Sequence, residues 1–131
     1  MQQATLKNLA FEDCTIGIDI SGGFTINVFA PTFNTVGNPV IMEQNAGPWI
    51  SVIDATSINS GTFFTSNNPY PNFMLENIAA DNVESDVVVV SGATKVPGQT
   101  HTGSYVFGNV YGADPIYQTN GAPSTLSLIH I

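Results

Sequence analysis

The 131-residue sequence is short of charge, and what charge it has is almost all of one sign. Only 9% of residues are charged, against about 25% in an ordinary soluble domain. Lys7 and Lys95 are the only basic side chains, there is no arginine, and ten acids leave a net charge of −8. Nucleic-acid binding needs cations to neutralise phosphates, so no nucleic-acid partner is expected. Attraction to an anionic membrane surface fails for the same reason, and phosphate-rich substrates are as poor a fit. No apolar run approaches the roughly 20 residues of a spanning helix, so no membrane partner is expected either. Met1–Lys7 contains no apolar stretch of the signal-peptide kind. Cys14 is the single cysteine, which allows no internal disulfide and no zinc cluster. No cofactor and no metal site is expected.

Helix signals are also scarce. Eight prolines and twelve glycines punctuate the chain, and no long window carries a 3.6-residue period. What the chain does have is short β-rich runs: Leu6–Phe11, Ile16–Ile20, Phe24–Phe29, Ile50–Ile53, Phe73–Ile78 and Val87–Val90. Gly, Pro, Asn or Asp bounds each, as strand–turn alternation requires. Hydrophobic residues reach 43%, so the low charge does not mean disorder. The fold class is all-β.

Four segments align on a recurring column of Asn8, Asn27, Asp54 and Asn77, spaced 19, 27 and 23 residues apart. That is the length of a solenoid coil. In a parallel β-helix, coils stack about 4.8 Å apart and like residues form ladders. Leu9, Val28, Ala55 and Ile78 are expected as one inward ladder, and the Asn/Asp column as a shared bend, where Asn and Asp tolerate left-handed backbone. A further strand follows each coil: Gly17–Ile20, Val40–Met42, Thr62–Phe64 and Asp86–Val90. Pro39–Pro48, Ser66–Asn72 and Gly92–Gly103 break the period and read as loops, the usual place for ligand contacts. A β-sandwich also has short strands with frequent turns, but leaves the recurring column unexplained. The expected architecture is a right-handed parallel β-helix, with coils in residues 1–96 that are incomplete at the N-terminal side. Residues 97–125 are expected to form the domain exit or linker.

Three motifs carry a resemblance. Gln2–Cys14 reads QQxTxxNLxFxxC, Val52–Asn59 reads VIDxTxxN, and Leu75–Asn82 reads LENxxxxN. Together with the aromatic, glycine-rich close Gly103–Gly112, they resemble the fungal exo-β-1,3-glucanases, or laminarinases, with tandem β-helix domains. The wider relatives form the pectate-lyase-like superfamily. The resemblance covers about residues 2–122. It implies a piece of the first β-helix domain of a secreted, extracellular polysaccharide hydrolase, partnered by a second β-helix domain and by β-glucan. It also implies that the catalytic acid belongs to the second domain and that the polar cleft residues of the first lie upstream of Met1. The chain would then contribute structure and be inactive alone. A Trp-rich stretch usually follows the first coil in that family; Ser21-Gly22-Gly23-Phe24 stands in its place here. The other readings are a non-catalytic β-helical carbohydrate-binding or adhesion module, and another polysaccharide-active member of the superfamily. The final Leu126-Ser127-Leu128-Ile129-His130-Ile131 matches the translation of a transposon adapter, CTG TCT CTT ATA CAC ATC, and is read as an adapter-derived tail; a short edge strand is the alternative.

No residue is assigned a catalytic role. Glycoside hydrolysis needs two carboxyl groups flanking the bond, roughly 6.5–9.5 Å apart for inversion. Asp54 and Glu76 lie in adjacent coils one column apart, but a bend residue and a solvated strand residue explain them more simply. Asp81, Glu84 and Asp86 could gather oxygens for calcium; a solvated acidic edge is the plainer reading. A polygalacturonase-type site needs a Gly-His-Gly that is absent, and a pectate-lyase site needs a base that the two lysines supply poorly. Trp49 is the candidate substrate-binding residue, since aromatic faces stack on the apolar C–H faces of sugars; a loop-anchoring Trp is the alternative. Tyr105, Tyr111 and Tyr117 share that ambiguity. His101 has no partner His or Cys, Ser57 has no triad context, and Cys14 is read as an inward ladder residue.

Overall fold

The computed structural model describes residues 3–23, 25–46, 49–68, 71–82, 87–90, 104–112, 116–118 and 127–129. Among them every regular element is a strand. In order these are β1 (Gln3–Lys7), β2 (Ala10–Glu12), β3 (Ile16–Ile20), β4 (Thr25–Phe29), β5 (Thr32–Asn34), β6 (Asn38–Met42), β7 (Trp49–Ser60), β8 (Phe64–Ser66), β9 (Asn72–Asn82), β10 (Val88–Val90), β11 (Ser104–Gly112), β12 (Ile116–Gln118) and β13 (Ser127–Ile129). Every pairing is parallel. One sheet runs β1-β4-β7-β9-β11-β13, with β5 beside the far half of β7 and β2 beside β5; the other runs β12-β10-β8-β6-β3. The chain is a β-solenoid, as its coil-length repeat predicts.

The register fixes the coil length. Lys7, Phe29, Ile53, Glu76 and Gly108 form one row, so successive coils take 22, 24, 23 and 32 residues. Inward rows form the core. Leu6, Val28, Val52 and Leu75 stack from the first sheet, and Ile18, Val40, Phe64 and Val88 from the second. All but Leu6 are buried, and Leu6 packs against them. Phe64 and Phe73 stack at 4.3 Å between centroids and tie the two sheets together across the interior. Phe33 lies on Phe11 at 5.3 Å and meets the edge of Phe63 at 5.8 Å. These offset and edge-on arrangements suit aromatic quadrupoles.

The first sheet turns at two columns of left-handed backbone. Asn8, Ala30, Asp54 and Asn77 have φ between 53° and 59°, and Asp13, Thr35 and Asn59 between 51° and 58°. The bends keep the ladder intact, because bend amides still bond the next coil. Asn8 N–H donates to the Phe29 carbonyl at 2.9 Å, and Ala30 N–H to the Ile53 carbonyl at 2.8 Å.

One sequence expectation is corrected here. The bend of the second coil is Ala30, not Asn27. Asn27 sits mid-strand between Thr5 and Ser51. Val28 accordingly belongs to the Leu6 row, not to a ladder with Ala55 and Ile78, and Leu9, expected inward, is exposed. The interior decides this: only with Ala30 at the bend do Ile26 and Val28 both face inward against Ile50 and Val52. The strands expected after each coil are present, with the third starting at Phe64 instead of Thr62 and the fourth at Val88 instead of Asp86. In the stretch expected to leave the solenoid, β11 pairs with β9 and β12 with β10; β13, inside the last six residues, pairs with Val106–Gly108.

Candidate functional site

The outer face of the first sheet is the surface that β1, β4, β7 and β9 present together. Along β7 the inward residues Ile50 and Val52 are fully buried, so Trp49, Ser51 and Ile53 face outward, as strand alternation requires. Trp49 is half-buried and stands beside Thr25 and Gln3 in its row. Its indole Nε1–H donates to Ser51 Oγ at 2.8 Å. Ser51, flanked in its row by Asn27 and Met74, is only 4% exposed. The single polar atom of the indole is thereby satisfied, and the surface that Trp49 offers outward is apolar.

A turn in the loop after β6 is fastened by a buried side chain. Residues 43–46 form a turn closed by Ala46 N–H donating to the Glu43 carbonyl at 3.1 Å. Asn68, 4% exposed, donates its Nδ2–H to the Ala46 carbonyl at 2.6 Å and to the Glu43 carbonyl at 3.1 Å. A buried side-chain amide with two backbone partners thus pins both ends of the turn. No sequence pattern announced Asn68; its partners are 22 and 25 residues away.

The carboxyl candidates occupy different surroundings. Asp54 sits in the first bend column with φ 59°, and the exposed Asn77 side chain donates to Asp54 Oδ1 at 2.7 Å. Its row partner in the next coil is thus Asn77. Glu76 is exposed and pairs in register with Ile53. The two carboxylates are in adjacent coils, as expected, but Asp54 serves the bend. Of the acidic patch, Asp81 falls in β9, and Glu84 and Asp86 lie outside the described residues. Among the described residues no three His, Cys, Asp or Glu side chains gather for a metal. His101 also lies outside them. Tyr105, Tyr111 and Tyr117 fall in β11 and β12. Cys14 is partly buried against the core, as a ladder residue should be. Ser57 is fully buried in the row of Phe11, Phe33 and Ala80, and its hydroxyl has no hydrogen-bond partner among the described residues.

Comparison with known proteins gives one curated relative of relevance. The chain is 43% identical over 130 residues, 96% of its own length, to a glucan endo-1,3-beta-glucosidase of Trichoderma harzianum. It spans 17% of that relative's length. No protein-family model and no solved structure matches the chain.

Proposed function

We propose that this chain is a solenoid segment of a secreted β-1,3-glucan hydrolase, contributing scaffold and a sugar-contacting face in place of the catalytic acid. The observation that carries the reading is the similarity to a glucan endo-1,3-beta-glucosidase along nearly the whole of this chain. The outward, half-buried Trp49 supports a sugar-contacting role, because its indole N–H is already bonded and its free surface is apolar. Asp54 supports the absence of a catalytic acid here: it sits in a strained bend and accepts from Asn77, the part of a turn residue. In this reading the acid is supplied by a second β-helix domain of the same polypeptide, across a cleft that holds the glucan.

The mode of cleavage divides two expectations. The sequence motifs resemble exo-acting enzymes, whereas the relative is named for endo cleavage. Product analysis on laminarin with the longest polypeptide carrying this segment separates them, since exo action releases glucose from the outset and endo action releases oligosaccharides first. The isolated chain is expected to release neither. Measurable hydrolysis by the isolated chain that is abolished in Glu76→Gln would overturn the scaffold reading.

A second reading is a non-catalytic carbohydrate-binding module. It shares the Trp49 face and is favoured by the same Asp54–Asn77 bond. Binding of laminarin-derived oligosaccharide without hydrolysis by the longer polypeptide would select it.

A further inference from the structure

The indole of Trp49 does not stand free on the sheet. It is held by one hydroxyl two residues further along the same strand, on a serine that is itself buried. We infer that Ser51 is a positioning residue for carbohydrate binding: its Oγ fixes the orientation of the Trp49 ring, so that a flat apolar face is presented to the pyranose rings of a neutral β-1,3-glucan. The inference rests on the reading of Trp49 as a sugar contact and adds the residue that sets its geometry.

Three observations support it. Tryptophan on an exposed sheet face samples several rotamers, and ordering it on binding costs free energy. A ring already fixed by a 2.8 Å bond has much of that ordering done before the sugar arrives. Next, satisfying Nε1–H inside the protein removes the one group through which the ring could bond a sugar hydroxyl. What remains is the face that stacks on C–H groups. Polar partners for the hydroxyls stand in the neighbouring strand of the same face: Thr25 beside Trp49 and Asn27 beside Ser51, both partly buried. Finally, the net charge of −8 repels anionic polysaccharides, which leaves a neutral glucan as the fitting class.

Trp49 is the sole tryptophan, so its fluorescence reads this site without interference. The experiment titrates the whole chain with laminarihexaose, following emission and, in parallel, heat by calorimetry. Polygalacturonate hexamer serves as the charged control. Wild-type chain is expected to bind laminarihexaose with a change in emission and to ignore the acidic oligomer. Ser51→Ala should shift the unliganded emission maximum and weaken binding about fivefold, the scale of one hydrogen bond. Ser51→Thr, which keeps the hydroxyl, should retain most of the affinity. Trp49→Phe removes the N–H without touching Ser51; by calorimetry it should weaken binding, and adding Ser51→Ala to it should weaken binding no further. This cycle keeps the test decisive even if one variant folds poorly.

Failure of the two layers looks different. Wild-type chain that shows neither heat nor an emission change with laminarihexaose overturns the assignment of Trp49 itself. Wild-type chain that binds, with Ser51→Ala binding equally well at an unshifted emission maximum, leaves Trp49 in place and overturns the role of Ser51. Equal losses for Ser51→Ala on the wild-type and Trp49→Phe backgrounds also overturn it, because Ser51 would then act without the indole N–H.

Discussion

Ala30 and Thr35 are the residues this backbone holds against their preference. Both lie in the second coil, with φ of 53° and 58°. At the equivalent bends the other coils use Asn8, Asp54 and Asn77, and Asp13 and Asn59. A left-handed conformation costs an L-residue roughly 1–2 kcal/mol, and a β-branched side chain such as threonine is the worst suited to it. Asparagine bears this cost better because its short polar side chain bonds local backbone. Ala30→Asn and Thr35→Asn should therefore each stabilise by about 0.5–1 kcal/mol, after discounting for exposure of the bends. For a chain of this size, about 1 kcal/mol moves the midpoint of thermal unfolding by roughly 4 °C. The two bends share no side-chain partner, so the double variant should gain close to the sum, about 5–6 °C. Ala30→Gly should gain less, since relief of strain is offset by about 0.5–1 kcal/mol of extra freedom in the unfolded chain. The opposite exchange, Asn77→Ala, should destabilise by about 1 kcal/mol, because it recreates the strain and removes the bond to Asp54. Thermal unfolding followed by circular dichroism, with urea denaturation for the free energies, measures all five variants. Lower midpoints for both Ala30→Asn and Thr35→Asn would refute the left-handed bend columns and the register built on them.

Gly61→Ala should destabilise by several kcal/mol or prevent folding, because a Cβ there would collide with the Gly37 carbonyl oxygen of the adjacent coil, a backbone atom that cannot swing aside; urea titration checks it, and wild-type stability would mean that the coils stack less closely at this corner. Ser57→Ala should raise stability by about 1 kcal/mol, since it deletes a buried hydroxyl that has no partner among the described residues while leaving the small volume that the row of Phe33 and Ala80 requires; a loss of stability would show that the hydroxyl is bonded after all.

The sequence carried the class of fold because the relevant forces are local and repeat. Short β-rich runs ended by turn formers exclude helices, and Asn or Asp returning once per coil marks a bend that favours left-handed backbone. The motif Val52–Asn59 even holds both bend residues of its coil, Asp54 and Asn59. The second coil was misaligned for a physical reason. Its bends fall on Ala30 and Thr35, which lack the Asn/Asp signature, while Asn27 offered that signature in the middle of a strand.

Composition alone fixed the charge balance, two lysines against ten acids, whatever the fold. Trp49 could be named as a candidate from its type, but not oriented. Its bond to Ser51, the Asn68 clamp on residues 43–46, the pairing of Asp54 with Asn77 ahead of Glu76, and the contact of Gly61 with Gly37 were decided only by the tertiary structure. All but the first join residues about one coil apart. Which side chain stands above which depends on the lengths of the intervening loops and on the inter-coil hydrogen bonds that set the register. A one-residue slip in a parallel sheet turns an inward residue outward, and no local propensity resists it; only the shared interior does, by requiring Ile26, Val28, Ile50 and Val52 to be inside together.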